Sequence, residues 1–140
     1  MTPVQTNPPN RLLAVLAVLL GCVIGITLDH AAAEQTGMKR TILLRTDDPA
    51  GATYEAVMGI AELTPGANSG KHLHHGVEIG YVLDGSLLIE YEGRPSITVN
   101  AGEAFKNVGP HMARNPGNKS TKILAVYLVE KGKALADPMP

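Results

Sequence analysis

Gly66-Ala67-Asn68-Ser69-Gly70-Lys71-His72-Leu73-His74-His75-Gly76-Val77-Glu78-Ile79-Gly80-Tyr81-Val82-Leu83-Asp84-Gly85 is the stretch whose reading decides the fold. Three histidines fall within four residues there, and a carboxylate, Glu78, follows shortly after. On an extended strand successive side chains alternate faces, so His72 and His74 share one side while Leu73 and His75 share the other. Gly76 permits a bend, after which Glu78 can return on a neighbouring segment facing the same space. Two imidazoles and a carboxylate form a mixed nitrogen and oxygen donor set suited to Fe, Mn, Co, Ni, Cu or Zn. An isolated His-x-His is ordinarily a hydrated surface feature, but here the pattern continues on both sides of the pair.

Outward from this stretch the chain is a succession of short β-like runs separated by turn residues. Before it lie Thr41–Arg45, a turn at Asp47-Asp48-Pro49-Ala50-Gly51, and Tyr54–Leu63, closed by Thr64-Pro65-Gly66. After it, Asp84-Gly85 between two apolar runs predicts a hairpin from Glu78–Leu83 into Ser86–Tyr91. Further runs are Ser96–Val99, Ala104–Lys106 and His111–Arg114. The last strand, Thr121–Val129, is nearly all apolar and so is expected to be central or buried. Lys131–Pro140 reads as a surface-bound or frayed tail. No run of helical length competes, and 15 Gly with 10 Pro in 140 residues suit many short strands. The expectation is an all-β fold, a small closed or nearly closed barrel. With 4% aromatics and no Trp, its core must rest on Val, Ile, Leu, Ala and Met.

Charge narrows the class of function. Twelve Lys and Arg against thirteen Asp and Glu give a formal net charge of −1, without a single-sign block, so no nucleic-acid surface is expected. The N-terminus stands apart. Arg11 precedes the apolar run Leu12–Leu28, and Ala31-Ala32-Ala33 offers an A-x-A cleavage site before Glu34. This arrangement predicts a signal peptide over 1–33 and a mature domain over 34–140, placed in the periplasm or secreted. The alternative is an uncleaved membrane anchor, since the run is only just long enough to span a bilayer. Lipid attachment at Cys22 is disfavoured because the apolar run continues through Val23-Ile24-Gly25-Ile26. Cleavage would leave a mature protein with no cysteine, and hence no thiolate ligand or disulfide.

Gly66, His72, His74, Glu78 and Gly85 occupy every fixed position of the first conserved motif of the cupin superfamily, which this stretch therefore resembles. The second cupin motif is similar to Gly102-Glu103-Ala104-Phe105 together with His111 and Asn115, although Val108-Gly109-Pro110 replaces the usual Pro-x-Gly and the segment is about two residues short. The resemblance runs over roughly Leu43–Val129. It implies a jelly-roll barrel with one divalent transition-metal ion (Fe, Mn, Ni, Cu or Zn) held by His72, His74, Glu78 and His111. It also implies that a homodimer is a reasonable expectation.

Two classes of function follow from that site. One is a metal-dependent enzyme, oxygenase-like or isomerase-like, acting on a small organic molecule, with Glu78 doubling as a proton acceptor. The other is a non-catalytic periplasmic protein that binds a metal or a small ligand, because one barrel hosts many chemistries. Among the remaining residues, strand parity turns His75 away from the ligands, and Asn115 is expected to fix a loop. Tyr81, Met58, Phe105 and Met112 are expected to pack in the core, and Lys71, Arg94 and Arg114 to be solvated.

Overall fold

Alternating patterning organises the chain into ten short strands among the residues described, which are 37–46 and 51–140 of a computed structural model. They are β1 (Met38–Thr46), β2 (Tyr54–Leu63), β3 (His72–Leu73), β4 (Gly76–Asp84), β5 (Ser86–Tyr91), β6 (Arg94–Asn100), β7 (Ala104–Asn107), β8 (His111–Arg114), β9 (Thr121–Glu130) and β10 (Asp137–Pro138). The expected signal peptide and most of the turn after Thr46 lie outside the described residues. No helix is present among those described.

The strands form two five-stranded antiparallel sheets, β1-β2-β9-β4-β7 and β10-β3-β8-β5-β6, the arrangement of a jelly roll. β9 is central as expected, with β2 on one side and β4 on the other. It is buried on one face only, so its apolar run serves two surfaces. Inward side chains Val57, Leu63, Val82, Leu87, Ile89, Ile123 and Val129 fill the space between the sheets. Each such aliphatic contributes about 1.5–3 kcal/mol by leaving water. Phe105 joins this core. Tyr81 does not: it is exposed on the outer face with Ile79 and Leu128, and Met58 shares that face by register with Val126. Their parity within β4 and β2 is opposite to that of the buried Val82 and Val57.

Asp84-Gly85 turns out to be a corner instead of a hairpin. Both edges of β4 are already taken, by β9 and β7, so β5 has no free edge to pair with and enters the second sheet. Gly85 makes the corner at φ +77°, where an added Cβ would lie 2.8 Å from Thr121 Oγ1. The tail also differs from expectation. β10 pairs with β3, Met139 N–H donates to the Lys71 carbonyl at 2.9 Å, and Leu135 packs on the core. The 131–140 segment is thus a strap laid along the β3 edge of the second sheet.

A second crossing between sheets decides where the histidines go. β3 belongs to the second sheet and β4 to the first, so the chain changes layers between Leu73 and Gly76. Gly76 N–H closes the turn on the His74 carbonyl at 2.8 Å. The backbone then passes so near β9 that a Cβ on Gly76 would lie 2.0 Å from the Leu128 carbonyl oxygen. That neighbour is backbone in a central strand and cannot step aside. We expect Gly76→Ala to destabilise the domain by about 2–3 kcal/mol, read from the urea midpoint. An unchanged midpoint would show that the β4–β9 approach is looser than described.

Candidate metal centre

His72 and His111 are directly opposite one another on β3 and β8, so the second sheet presents two imidazoles side by side. Their ring centroids are 4.5 Å apart. His74 stands in the link between sheets, with its ring 4.9 Å from His72 and 5.3 Å from His111. Glu78 arrives from the first sheet, on β4, flanked by Tyr127 on β9 and Asn107 on β7. All four side chains are buried. The shortened loop before His111 delivers it into the cluster, and its Gly109 carbonyl accepts a hydrogen bond from His111 Nδ1 at 3.0 Å.

Each imidazole is fixed from behind by a backbone carbonyl. His72 Nδ1 donates to Gly70 O at 2.9 Å, His111 Nδ1 to Gly109 O, and His74 Nδ1 to Leu135 O. A carbonyl can only accept, so Nδ1 carries a proton in all three rings and Nε2 is the atom turned towards the cluster. That is the orientation a metal-ligating histidine needs. His74 Nε2 is buried without a hydrogen-bond partner, with Glu78 Oε2 3.6 Å away. One ligand nitrogen from each of His72, His74 and His111 lies within 4.8 Å of the others. An orphaned buried nitrogen among three converging imidazoles fits a divalent cation. The set lacks thiolates, which favours first-row ions that accept nitrogen and oxygen ligands.

Glu78 stands slightly apart from that triad. Its Oε2 is 3.4 Å from His111 Nε2 and 3.6 Å from His74 Nε2, and it accepts a hydrogen bond from Asn107 Nδ2 at 2.7 Å. Burial alone would raise the carboxyl, but its contacts with His111, His74 and Asn107 outweigh burial and hold it well below the usual carboxylate range. His72 is lowered as well, which for a base favours the neutral form: burial, opposed by the Gly70 contact, brings it from 6.5 to about 4. At neutral pH the site therefore holds an ionised carboxylate and a neutral His72.

Several residues around the site carried no motif signal. Asn107, fully buried, links Glu78 to Tyr91, whose hydroxyl donates to Asn107 Oδ1 at 2.8 Å. The Tyr127 ring lies 4.8 Å from that of His74, and burial pushes its hydroxyl far above the ordinary range, so it stays protonated. Strand parity with the inward Phe105 and Ile123 was the available clue to both residues. Leu135 contributes only its carbonyl, for which no side-chain signal exists. His75 faces away as expected and contacts Asp137 of the strap, with Nε2 2.6 Å from Oδ2. Asn115 fixes its loop as expected, donating to Leu63 O at 2.9 Å and Lys119 O at 2.8 Å. Arg94 is not simply solvated, since its guanidinium lies 3.6 Å from the centroid of the Tyr91 ring.

Comparison with known proteins agrees with this architecture. The profile of the Cupin domain family matches residues 59–127, which include all four candidate ligands. A polyketide cyclase from Streptomyces resistomycificus superposes with a TM-score of 0.58 at 23% identity, over 76% of this chain and 74% of that one. Oxalate oxidase in complex with glycolate gives 0.58 at 22%, over 78% and 64%. A cupin domain from Bordetella pertussis gives 0.52 at 17%, over 66% and 93%. No curated protein matches the sequence. At these identities the structural likeness establishes the fold.

Two expectations follow from the geometry. Between 6.5 and about 4 the unfolded chain binds a proton that folded His72 refuses. Below the ordinary carboxylate value the unfolded chain likewise protonates before Glu78 does. Both differences make stability fall as pH falls. Urea midpoints of the metal-free protein should hold steady above 6.5 and then decline towards 4, with a shallower decline in His72→Gln. A flat profile through that window would exclude a neutral buried His72. Separately, deleting residues 134–140 removes the acceptor of His74 Nδ1. Metal affinity should drop by about 10–100-fold in the deletion, as for other losses of a partner behind a ligand. Equal affinity in competition with a chromophoric chelator would show that the strap does not orient His74.

Proposed function

Because this chain belongs to the cupin superfamily, we propose that it holds one divalent transition-metal ion on His72, His74, Glu78 and His111 and acts as a metal-dependent enzyme on a small organic molecule. The observation that carries this reading is the buried, unpartnered His74 Nε2 facing His72, His111 and Glu78, with every Nδ1 tied back to a carbonyl. Fe, Mn, Ni, Cu and Zn all suit the donor set. When bound, such an ion supplies Lewis acidity towards a chelating oxygen or, if redox-active, activation of dioxygen, which are the isomerase-like and oxygenase-like chemistries respectively.

The chain's own residues would contribute in distinct ways. Glu78, kept ionised by its contacts, offers negative charge to a cation; the same contacts make it a weak proton acceptor while it ligates. Asn107 holds the carboxylate in place, and Tyr91 holds Asn107. Tyr127 forms a wall beside His74 and keeps its hydroxyl proton. These polar neighbours favour an enzyme over a passive binder, because a storage site requires only the ligands. The name of one structural neighbour, a polyketide cyclase, and that of another, an oxidase holding glycolate, are compatible with small oxygen-rich substrates. Export to the periplasm or beyond is part of the same proposal and rests on Arg11, the apolar run and Ala31-x-Ala33. The N-terminus of the exported protein should then lie near Glu34, as Edman sequencing would read.

Elemental mass spectrometry on the mature domain, purified without chelator, tests the centre. About one equivalent of a first-row metal is expected, falling to background in His74→Ala and in the His72→Ala, His111→Ala double variant, while the fold is retained. Metal content unchanged in the variants would place the ion elsewhere. No metal in the native protein after reconstitution would leave a barrel without the centre.

A further inference from the structure

Arg40 is an inward-facing cation without an anion. On β1 it pairs across to Ala61, which in turn pairs with Ile123, and both neighbours are buried in the core. Its side chain therefore lies on the inner face of the first sheet, the face that carries Tyr127 and Glu78. Arg45, further along the same strand, is ion-paired with Glu55. Arg40 has no such carboxylate among the described residues. Its guanidinium carbon sits 5.7 Å from the centroid of the Tyr127 ring, whose own centroid is 4.8 Å from that of His74. Arg40 Nε is buried and makes no hydrogen bond. A buried donor left unsatisfied costs about 1–3 kcal/mol, and more on a charged group, so the position favours any ligand that supplies an acceptor.

Electrostatics point to the sign of that acceptor. Among the described residues, Glu78 is the carboxylate set against the imidazole cluster, 3.4 Å from His111 Nε2 and 3.6 Å from His74 Nε2. A divalent ion would give the centre net positive charge, and Arg40 adds to it from beside the Tyr127 ring. A guanidinium also matches a carboxylate in geometry, two parallel N–H donors to two oxygens. We propose that Arg40 anchors the carboxylate of a small chelating carboxylic acid, whose other end carries the oxygens directed at the metal centre. The inference rests on the metal-centre reading and deepens it by naming the substrate class. Arg40 would thus be a specificity-determining residue, selecting anionic over neutral molecules, with Tyr127 lining the path between the two ends.

The test uses the metal-loaded mature protein and two probes of nearly equal shape, 3,4-dihydroxybenzoate and the uncharged 3,4-dihydroxybenzamide, titrated by calorimetry. Metal content and thermal melting are recorded first for native protein, Arg40→Gln and Arg40→Lys. Native protein should bind the carboxylate at least about 10-fold tighter than the amide, the scale of one charge-assisted hydrogen bond. Arg40→Gln should bring the carboxylate down to the amide's affinity and leave the amide unchanged, and Arg40→Lys should restore part of the preference. A preference that survives in Arg40→Gln overturns the inference, as does an equal loss for both probes or no saturable binding of either to native protein. Native protein that holds no metal would instead overturn the reading beneath it, and the metal analysis separates that outcome from the others.

Discussion

Three backbone carbonyls, those of Gly70, Gly109 and Leu135, each take the Nδ1 proton of one histidine, and the chemistry of the whole interior depends on this. Without them each imidazole could rotate or change tautomer, and the buried cluster would satisfy itself internally. With them the three Nε2 atoms are held turned towards one another. Three converging imidazoles beside a buried carboxylate form a donor set that a cation completes. The carbonyls belong to three separate segments: the turn before β3, the loop before β8 and the C-terminal strap. Local turn chemistry in three places therefore supports one centre, and the β-sheets hold those segments in register.

The two sheets divide the work. The second sheet gives paired imidazoles by register, His72 against His111, while the first gives Glu78 between Tyr127 and Asn107. His74 lies on the chain that passes between them. Donors on both walls of a jelly roll are fixed relative to one another only if the crossing is tight, and Gly76 makes it so by packing its bare Cα against the Leu128 carbonyl. The apolar core then serves the site as well as the fold. Val57, Val82 and Ile123 keep the inner face of the first sheet dry, and a dry face strengthens every contact made by Glu78.

Much of this was readable in the sequence because strand parity and turn residues are local properties. The all-β class, the central β9, the shared side of His72 and His74, the outward turn of His75 and the return of Glu78 after Gly76 all follow from spacing. What was not readable depends on which strand lies beside which. Asp84-Gly85 has the chemistry of a hairpin turn, yet the outcome was set by β7 and β9 occupying both edges of β4, a fact no dipeptide encodes. The strap gave no signal either, since its contribution at Leu135 is a carbonyl and its pairing partner, β3, is two residues long. Asn107 and Tyr127 were within reach of parity arguments, but their meaning comes only from their register with Glu78. Arg40 sits outside the conserved-looking stretch altogether, on an edge strand where an arginine is usually solvated.

Uneven satisfaction of polar groups is the feature that separates this interior from an ordinary core. Asn115, as buried as Asn107, has its side-chain nitrogen and oxygen both engaged by loop backbone, and it stabilises structure alone. Thr121 is likewise buried and donates to the Ser86 carbonyl at 2.7 Å. By contrast, two of the three buried side-chain atoms left without a partner among the described residues, His74 Nε2 and Arg40 Nε, belong to side chains packed beside the Tyr127 ring. A chain that completes its hydrogen bonds at structural asparagines and threonines has the means to complete them anywhere. Leaving two gaps beside one aromatic ring is therefore informative: the missing partners are a cation for one and an acceptor for the other, and neither is supplied by the described residues.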